Sequence, residues 1–351
     1  MKIAQVAPLH ESVPPRLYGG TERVVSYLTE ELVSLGHQVT LFASGDSVTA
    51  AELIPGSATA LRLNASAGDP IAAHLLLLEK VFQQAHRFDV VHFHCDYLHF
   101  PLSRRSRLPN VTTLHGRLDL PELAPLYREF ASLPLVSISN AQRAPLPWAG
   151  WRATVYHGLP ESAWTPRLGP GAYLAVLGRV SPEKGVDVAI EIARRAGVPL
   201  RIAAKVDRSD RDYFDAVIRP LLDEPGVEFL GEIGEADKEA FLGNAMALLF
   251  PIDWPEPFGL VMIEAMACGT PVIAYPRGSV PEVLDDGATG FVVTGVEEAV
   301  AAVERLGAID RSRVRRVFER RFSARRMARD YLDVYAGIAQ PEHPRAYADR
   351  S

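Results

Sequence analysis

The sequence has little cysteine and no long apolar run. Its two cysteines, Cys95 and Cys268, lie far apart among 351 residues. Two cysteines cannot build a disulfide framework, so a reducing compartment is the simpler expectation. The longest apolar runs, 75–78 and 245–251, fall well short of the ~18–20 residues that a membrane span needs. The apolar start at 3–9 is too short for a signal peptide and favours a first strand. We therefore expect a cytoplasmic protein that is at most peripheral at the inner face of the membrane.

An excess of positive charge is lacking as well. The formal net charge is -6 at pH 7, which argues against a nucleic-acid-binding protein, because a phosphate backbone requires a cationic surface. Hydrophobic residues make up 48% and charged residues 23% of the chain, a balance typical of folded globular proteins. The chain is long enough for two domains of roughly 100–200 residues each.

Short apolar runs alternate with amphipathic helical stretches along the chain, which predicts βαβ units and parallel sheet. In the first unit, a strand at 2–7 precedes a loop rich in proline and glycine and a helix that Thr21 could cap and Gly36 would end. Further strands are predicted at 39–43, 90–94, 111–114, 135–138, 154–156, 173–177, 200–204, 227–230, 247–251, 271–274 and 290–293. Residues 185–196 and the arginine-rich segment 311–336 are predicted to be helical.

Three prolines, Pro160, Pro166 and Pro170, mark a linker within 159–171. We predict two Rossmann-like, doubly wound α/β domains, at 1–160 and 161–325, that face each other across a cleft. A ligand would bind in this cleft, at the carboxyl ends of the strands. Residues 326–351 are predicted as a helix that crosses back to the first domain, followed by a loose tail.

The segment from Glu256 to Glu264, Glu-Pro-Phe-Gly-Leu-Val-Met-Ile-Glu, carries the strongest chemical signal. It follows an apolar strand and opens a helix. Backbone amides at Gly259, Leu260 and Val261 would then lie at a helix N-terminus, which suits a phosphate. The two glutamates are about two helical turns apart, and each carboxylate could accept hydrogen bonds from vicinal hydroxyls. The alternative is a solvated helix face, which the surrounding segment disfavours.

With its continuation Ala-Met-Ala-Cys-Gly-Thr-Pro-Val-Ile-Ala, this segment resembles the motif of the retaining glycosyltransferases of family 4, in which two glutamates flank seven residues. These enzymes, among them glycogen synthases and mannosyltransferases, have the GT-B fold. The resemblance covers 2–335 and implies that a hexose is transferred from a nucleoside-diphosphate sugar to a hydroxyl acceptor. It also implies that Glu264 holds the donor ribose, that Glu256 contacts the transferred sugar during catalysis, and that Phe258 lies in the donor site.

A second segment, Gly-Arg-Val-Ser-Pro-Glu-Lys-Gly at 178–185, follows the first strand of the second half. Arg179 and Lys184 could bind one diphosphate from this tight loop, and two fixed cations would stabilise the charge that grows on a departing diphosphate. The resemblance assigns both residues to catalysis and donor binding; a surface turn with ordinary charges is the alternative. Lys205, where relatives have a glycine-rich turn, could bind diphosphate or be a partly exposed surface lysine.

Other candidate residues follow strands in both halves. Gly19 and Gly20 could let a phosphate or sugar approach the backbone at a helix start, and the resemblance adds Tyr18 as an acceptor contact. His115, in Thr-Leu-His-Gly, matches the family position beside the 6-hydroxyl of the transferred sugar and is a catalytic candidate. A structural hydrogen-bonding role for this histidine is the alternative. Ile233 is expected near the nucleotide base.

Histidines cluster at 92–99, in His-Phe-His-Cys-Asp-Tyr-Leu-His. A metal would require three or four ligands in a defined geometry, and we expect none here; His94 and Asp96 are acceptor candidates instead. No tightly bound cofactor is expected. The resemblance implies a metal-independent reaction in which the acceptor hydroxyl attacks on the same face and loses its proton to the departing phosphate.

The sequence leaves several alternatives open. A UDP-sugar is the favoured donor, with a GDP- or ADP-sugar as alternatives, and the acceptor could be a carbohydrate, a polyol or a lipid-linked glycan. A non-catalytic nucleotide-sugar binding protein, or a hydrolase or epimerase of the same fold, is the competing function. The nine arginines of 311–329 could also favour contact with anionic lipid, although a solvated helix that packs on the first domain is preferred.

Overall fold

The structure is a computed structural model that describes residues 1–17, 19–62, 68–106 and 108–339, and it contains two parallel sheets. The strands of the first sheet are β1 (Lys2–Val6), β2 (Gln38–Ser44), β3 (Glu52–Ser57), β4 (Val90–Phe93), β5 (Asn110–Thr113), β6 (Leu135–Ser137) and β7 (Trp151–Thr154). Those of the second are β8 (Tyr173–Val180), β9 (Leu200–Val206), β10 (Val227–Phe229), β11 (Ala245–Phe250), β12 (Val272–Ala274) and β13 (Gly290–Val292). Their spatial orders are β3-β2-β1-β4-β5-β6-β7 and β10-β9-β8-β11-β12-β13. Each sheet is wound in both directions from its first strand, so the prediction of two doubly wound α/β halves is confirmed.

Helices connect the strands and cover the faces of the sheets. In the first half they are α1 (Gly20–Ser34), α2 (Pro70–Gln83), α3 (Phe100–Arg105), α4 (Leu123–Glu129) and α5 (Asn140–Arg143). In the second half they are α6 (Val186–Ala196), α7 (Arg211–Tyr213), α8 (Arg219–Leu221), α9 (Glu235–Gly243), α10 (Leu260–Ala267), α11 (Val280–Val283), α12 (Val296–Glu304) and α13 (Arg311–Arg321), and the last helix is α14 (Ala324–Ala339). A π turn at Phe214–Ile218 joins α7 to α8. No helix of the described residues combines the length and apolar character that crossing a bilayer would require.

Helix α1 illustrates how the sequence specifies a βαβ unit and where the prediction fails. It ends at Gly36 as predicted, because this residue adopts a φ of +88° that favours glycine. The next amide, of His37, then donates to the carbonyl of Leu32 at 3.1 Å. The predicted cap is wrong: Gly19 precedes the helix, and Thr21 lies inside its first turn without capping it. A Cβ at Gly19 would lie 2.7 Å from Cβ of Pro15, so this close approach of the preceding loop requires glycine.

The sequence analysis predicts no strand at β3 and places β7 too late. Strand β3 contains Pro55 and Gly56, which weaken any strand prediction. It lies at the edge of the first sheet, where a proline does not interrupt a central ladder. Strand β7 covers 151–154 rather than 154–156, because Trp151 pairs with Leu135 of β6.

The predicted helix at 311–336 is two helices with a break at Phe322 and Ser323. The backbone of Leu159 fills the break: its amide donates to Phe322 O at 2.9 Å, and its carbonyl accepts from the amide of Ala324 at 2.8 Å. The preferred expectation, packing on the first domain, is therefore wrong for α13, whose Phe318 is buried in the core of the second half. Helix α14, by contrast, does pack on the first sheet, against β4 and β5.

Arginines of this C-terminal region are engaged inside the protein. Arg311 is buried and donates to the carbonyls of Arg167 and Ala245 at 2.8 and 2.7 Å. Arg315 donates to three further carbonyls, and Arg326 binds the carbonyls of residues 156 and 157 at the start of the interdomain connection. These side chains satisfy backbone acceptors, as buried polar groups require.

Candidate functional site

A cavity of about 530 Å³ opens between the carboxyl ends of the strands of the two sheets. Its lining includes every predicted catalytic and donor residue: Gly19, Gly20, His115, Arg179, Lys184, Lys205, Ile233, Glu256, Phe258, Gly259, Leu260, Val261 and Glu264. The loop after β1 and the end of β5 form one wall, and the ends of β8 and β9 with the start of α10 form the other. The structure thus brings together residues that are up to 245 positions apart in the sequence, from Gly19 to Glu264.

Helix α10 begins at Leu260 and directs its N-terminus into the cavity. Gly259 precedes it with a φ of +78°, and a Cβ there would lie 2.8 Å from the methyl carbon of Met262. Any other residue at this position would be strained. The amides of Leu260 and Val261 have no carbonyl partner within the helix, whereas that of Met262 donates to the Gly259 carbonyl at 3.0 Å. Together with the helix dipole, the amides at the helix start favour an anion.

The carboxylate of Glu264 lies within the same cavity and is only partly satisfied. Its Oε1 accepts a hydrogen bond from Lys238 Nζ at 2.9 Å. Its Oε2 is buried and has no partner among the described residues. A buried carboxylate oxygen without a donor is unfavourable, so this atom is suited to accept a hydrogen bond from a ligand. Lys238 also binds Glu235 at 3.1 Å.

Lys184 and Glu256 form an ion pair at the other end of the cavity. Lys184 Nζ lies 2.6 Å from Glu256 Oε2, and the indole nitrogen of Trp254 donates to the same oxygen at 2.8 Å. The ammonium also lies 4.6 Å from the centroid of the Trp254 ring, a cation–π distance. The lysine and the glutamate therefore hold each other in fixed positions facing the cavity.

Arg179 and Lys205 lie among carboxylates. Arg179 donates to Glu183 at 2.8 Å, and its guanidinium lies 3.8 Å from Asp207 and 4.0 Å from Asp210. Lys205 Nζ is 2.5 Å from Asp207. Asp210 and Asp212 form an Asp-x-Asp pair, and two carboxylates at this spacing are possible ligands for a divalent metal ion. The described residues nevertheless contain no group of three or more histidine, cysteine or acidic side chains placed to hold a metal ion.

The N-terminus of α1 approaches that of α10 from the opposite wall. A Cβ at Gly20 would lie 3.4 Å from the Leu260 side chain. Further along α1, Arg23 forms an ion pair with Glu235 at 3.0 Å, and Tyr27 donates to the same carboxylate at 3.2 Å. Two helix starts and one cross-cleft ion pair thus connect the halves beside the cavity.

His115 follows β5 and lines the cavity between two other rings. Its ring stacks on that of His157, with centroids 5.4 Å apart, and His157 contacts Phe258 edge-on at 4.8 Å. Burial lowers the pKa of His115 to about 3, so the imidazole is neutral at physiological pH. Its Nε2 lies 2.9 Å from His94 Nδ1.

The predicted acceptor residues lie at a smaller adjoining cavity of about 300 Å³, which shares His115 with the first. His94 and Asp96 both line it. Asp96 is exposed to this cavity, and partial desolvation raises the pKa of its carboxyl group to about 6. Tyr18, the remaining acceptor candidate, lies outside the described residues.

Sequence reasoning missed Lys238, Trp254 and His157, all of which line the main cavity. His157 had a readable signal, because His157-Gly158 follows a strand in the same way as His115-Gly116. Lys238 had none, since its surroundings, Glu-Ala-Asp-Lys-Glu, have the pattern of a solvated helix face.

Solved structures share this architecture over nearly the whole chain. A sucrose-phosphate synthase from Thermosynechococcus elongatus is 19% identical and has a TM-score of 0.77, with 96% of this chain and 99% of that chain covered. The Anabaena protein HepE, solved in complex with UDP-glucose, is 20% identical with a TM-score of 0.73 and covers 96% and 100%. At these identities the likeness establishes the fold, which is that of the GT-B glycosyltransferases.

Sequence comparisons then identify the family. The family description "Glycosyltransferase Family 4" matches residues 18–164, and "Glycosyl transferases group 1" matches 166–317. A glycogen synthase from Mycobacterium tuberculosis is 29% identical, and the alignment covers 94% of both chains. The chain therefore belongs to the GT-B glycosyltransferases, with a family 4 first half and a group 1 second half.

Proposed function

We propose that this chain is a retaining hexosyltransferase that moves a hexose from a nucleoside-diphosphate sugar to a hydroxyl acceptor, without a metal or a tightly bound cofactor. One observation carries the proposal: Glu264, whose buried Oε2 has no partner among the described residues, lines the cavity that also receives the N-terminus of α10. The carboxylate suits vicinal hydroxyls of a ribose, and the helix start suits a diphosphate. A nucleoside diphosphate presents both groups in one molecule.

The cations of the second half would stabilise the departing diphosphate. Arg179, Lys184 and Lys205 line the cavity together with the start of α10. Because fixed positive groups act most strongly where negative charge develops, we assign Arg179 and Lys184 to catalysis and Lys205 to donor binding. Glu256, held by Lys184, would contact the transferred sugar, and Phe258, Gly259, Leu260 and Val261 would complete the donor site.

The first half would position the acceptor and the reacting face of the sugar. Gly19 and Gly20 bring a helix start against that of α10, and His115 would meet the transferred sugar. Tyr18, His94 and Asp96 are proposed acceptor contacts. The departing phosphate would take the proton of the acceptor hydroxyl, since the neutral imidazole of His115, with its lowered pKa, is a weak base.

We also propose that 1–160 and 161–325 act as domains that close on the donor, with 326–351 belonging to the first. The parallel sheets of β1–β7 and β8–β13, and the packing of α14 against β4 and β5, support this division. A cytoplasmic location is proposed on the two cysteines, which are buried and not paired with each other.

Ile233 would lie near the base, and we favour a UDP-sugar because the similarly folded HepE was solved with UDP-glucose.

A thermal-shift screen of uridine, guanosine and adenosine diphosphates and their sugars tests this directly, since a ligand that binds only the native state raises the melting temperature. We expect one base to respond, and the response to be smaller in Glu264→Gln. If no nucleotide stabilises the folded wild type at millimolar concentration, the proposal is wrong. If one stabilises it but no acceptor supports transfer or hydrolysis, the chain is a nucleotide-sugar binding protein.

A further inference from the structure

A continuous chain of buried hydrogen bonds connects His115 to the last helix. His115 Nε2 is 2.9 Å from His94 Nδ1, and His94 Nε2 is 2.8 Å from Gln5 Oε1. Gln5 Nε2 donates to the hydroxyl of Tyr335 at 3.0 Å, and that hydroxyl is 2.7 Å from His92 Nδ1. Gln5, His92 and Tyr335 are fully buried and His94 nearly so.

These hydrogen-bonded side chains lie on the face of the first sheet that α14 covers. Every second residue of a strand lies on the same face of the sheet. On the face covered by α14, these residues change from apolar to polar toward the cavity. On β1 they are Ile3 and then Gln5, and on β4 they are Val90, then His92, then His94 just beyond the strand. The apolar members pack in one core with α14. The polar members are therefore placed where valine or isoleucine would fill the core equally well.

With the amide of Gln5 oriented as it is in the structure, the hydrogen bonds have one consistent proton order. Since Gln5 Nε2 donates to Tyr335, the amide oxygen of Gln5 faces His94 and must accept from its Nε2–H. Burial lowers the pKa of His94 well below its usual value, so the ring is neutral and its Nδ1 carries a lone pair. This Nδ1 must then accept from the Nε2–H of His115.

We propose that His94, Gln5 and Tyr335 are positioning residues that hold His115 in its Nε2–H tautomer and leave its Nδ1 lone pair available to a substrate hydroxyl. The Nδ1 atom makes no hydrogen bond to the described residues. A hydroxyl that meets this nitrogen must donate to it, and a group that can only accept is rejected. The significance for transfer rests on the proposed function, but the tautomer is a property of the unliganded protein.

Histidine nitrogen NMR on ¹⁵N-labelled enzyme without ligand tests the tautomer directly, because protonated and unprotonated ring nitrogens resonate far apart. A His115→Asn sample identifies the signals of His115. We expect a proton on Nε2 and a lone pair on Nδ1 at neutral pH in the wild type. A His115 ring protonated on Nδ1, or one exchanging between both forms, would overturn the proposal whatever the enzyme's activity.

Two matched variants on α14 test the connection to the last helix. Tyr335→Phe removes the hydroxyl that orients Gln5. Tyr331→Phe removes a hydroxyl one turn earlier that contacts Thr113 at 2.9 Å and is connected to Tyr335 only indirectly, through Thr113 and His92. In Tyr335→Phe we expect both tautomers of His115 and a fall in kcat/KM of roughly tenfold or more, as when a catalytic group is misplaced. Tyr331→Phe should keep the wild-type His115 signals and rate.

Unchanged His115 signals in a folded Tyr335→Phe protein would contradict the role of Tyr335. If that variant does not fold, the wild-type spectrum still decides the proposal. The thermal-shift response to nucleotides is recorded on the same samples, so a failed donor assignment is distinguished from a failed tautomer assignment.

Discussion

The two walls of the main cavity treat charge in opposite ways. On the second-half wall, charged groups are paired: Lys184 binds Glu256, and Lys238 binds Glu264. Burial lowers the pKa of Lys238, but attraction to Glu264 and Glu235 outweighs it, so its pKa is raised overall. The paired lysine and glutamate side chains of the second-half wall are therefore stabilised in their charged forms.

On the first-half wall, burial favours the neutral form of several titratable groups, although Glu11 keeps an ion pair with Arg62 at 2.8 Å. Burial lowers the pKa of His115 and raises that of Glu22 and Glu11. At the adjoining smaller cavity it likewise lowers the pKa of His94 and raises that of Asp96. Paired ions can exchange partners with a diphosphate at little loss of electrostatic energy, whereas neutral imidazole rings recognise hydroxyls by hydrogen-bond direction. The difference implies that leaving-group chemistry belongs to one wall and sugar recognition to the other.

The largest expected effect comes from removing a cation on the second-half wall. Lys184→Ala should lower kcat by roughly 10²–10³-fold, because a fixed positive charge beside the departing diphosphate is lost. Steady-state rates with saturating donor measure this effect. Lys80→Ala, which removes a lysine of α2 whose ammonium donates to the Pro55 carbonyl, is the control and should keep the wild-type rate. A fully active Lys184→Ala enzyme would place the leaving group elsewhere.

The next effect comes from the proposed ribose contact. Glu264→Gln keeps the shape of the side chain but loses its charge, and kcat/KM should fall by roughly 10- to 100-fold, as when a hydrogen bond to a charged acceptor is lost. Donor binding measured by calorimetry should weaken with it. Glu239→Gln, whose carboxylate accepts from the Thr165 amide instead, serves as the control. Equal donor affinity in Glu264→Gln and wild type would contradict the ribose assignment.

The second-half wall was also the more predictable one. Glu256, Gly259 and Glu264 lie in one contiguous strand–loop–helix segment, so their spacing along the chain already fixes their spacing in the structure. Alternating apolar runs likewise predicted the two sheets. The exceptions have physical causes, such as the proline in the edge strand β3 and the insertion of Leu159 into the break between α13 and α14.

The first-half wall could be predicted only in part. His115 was found because it follows a strand, but its partners Gln5 and Tyr335 lie 110 positions before it and 220 after it. No local pattern reports that a glutamine on β1 faces a tyrosine on the last helix. Lys238 was missed for a similar reason, because only the tertiary fold turns its helix toward Glu264.

A smaller effect is expected where the two walls are connected. Glu235→Gln weakens the ion pair with Arg23 across the cleft. Because partly exposed ion pairs contribute up to about 1 kcal/mol, the KM for donor should rise by at most about fivefold while kcat changes little. Small-angle scattering should show less compaction on donor binding. As a control, Glu297→Gln removes a carboxylate that binds Arg195 within the second half and should leave compaction unchanged. If both variants lose compaction equally, Glu235 has no specific role in domain closure.

The smallest expected effect is a pH dependence of stability that comes from Asp96 at the smaller cavity. Burial raises the pKa of folded Asp96 to about 6, whereas an unfolded aspartate releases its proton near pH ~4. Between these values the folded state binds more protons, so the contribution of Asp96 to the free energy of unfolding falls as pH rises from about 4 to 6. Asp96→Asn should flatten the melting temperature across this window, because the amide stays neutral, and asparagine tolerates the φ of +49° at this position. Asp237→Asn, which removes an exposed carboxylate of α9, controls for the loss of one acid. If both variants follow the wild-type curve, the carboxyl group of Asp96 is not held neutral and the contrast between the walls does not extend to the smaller cavity.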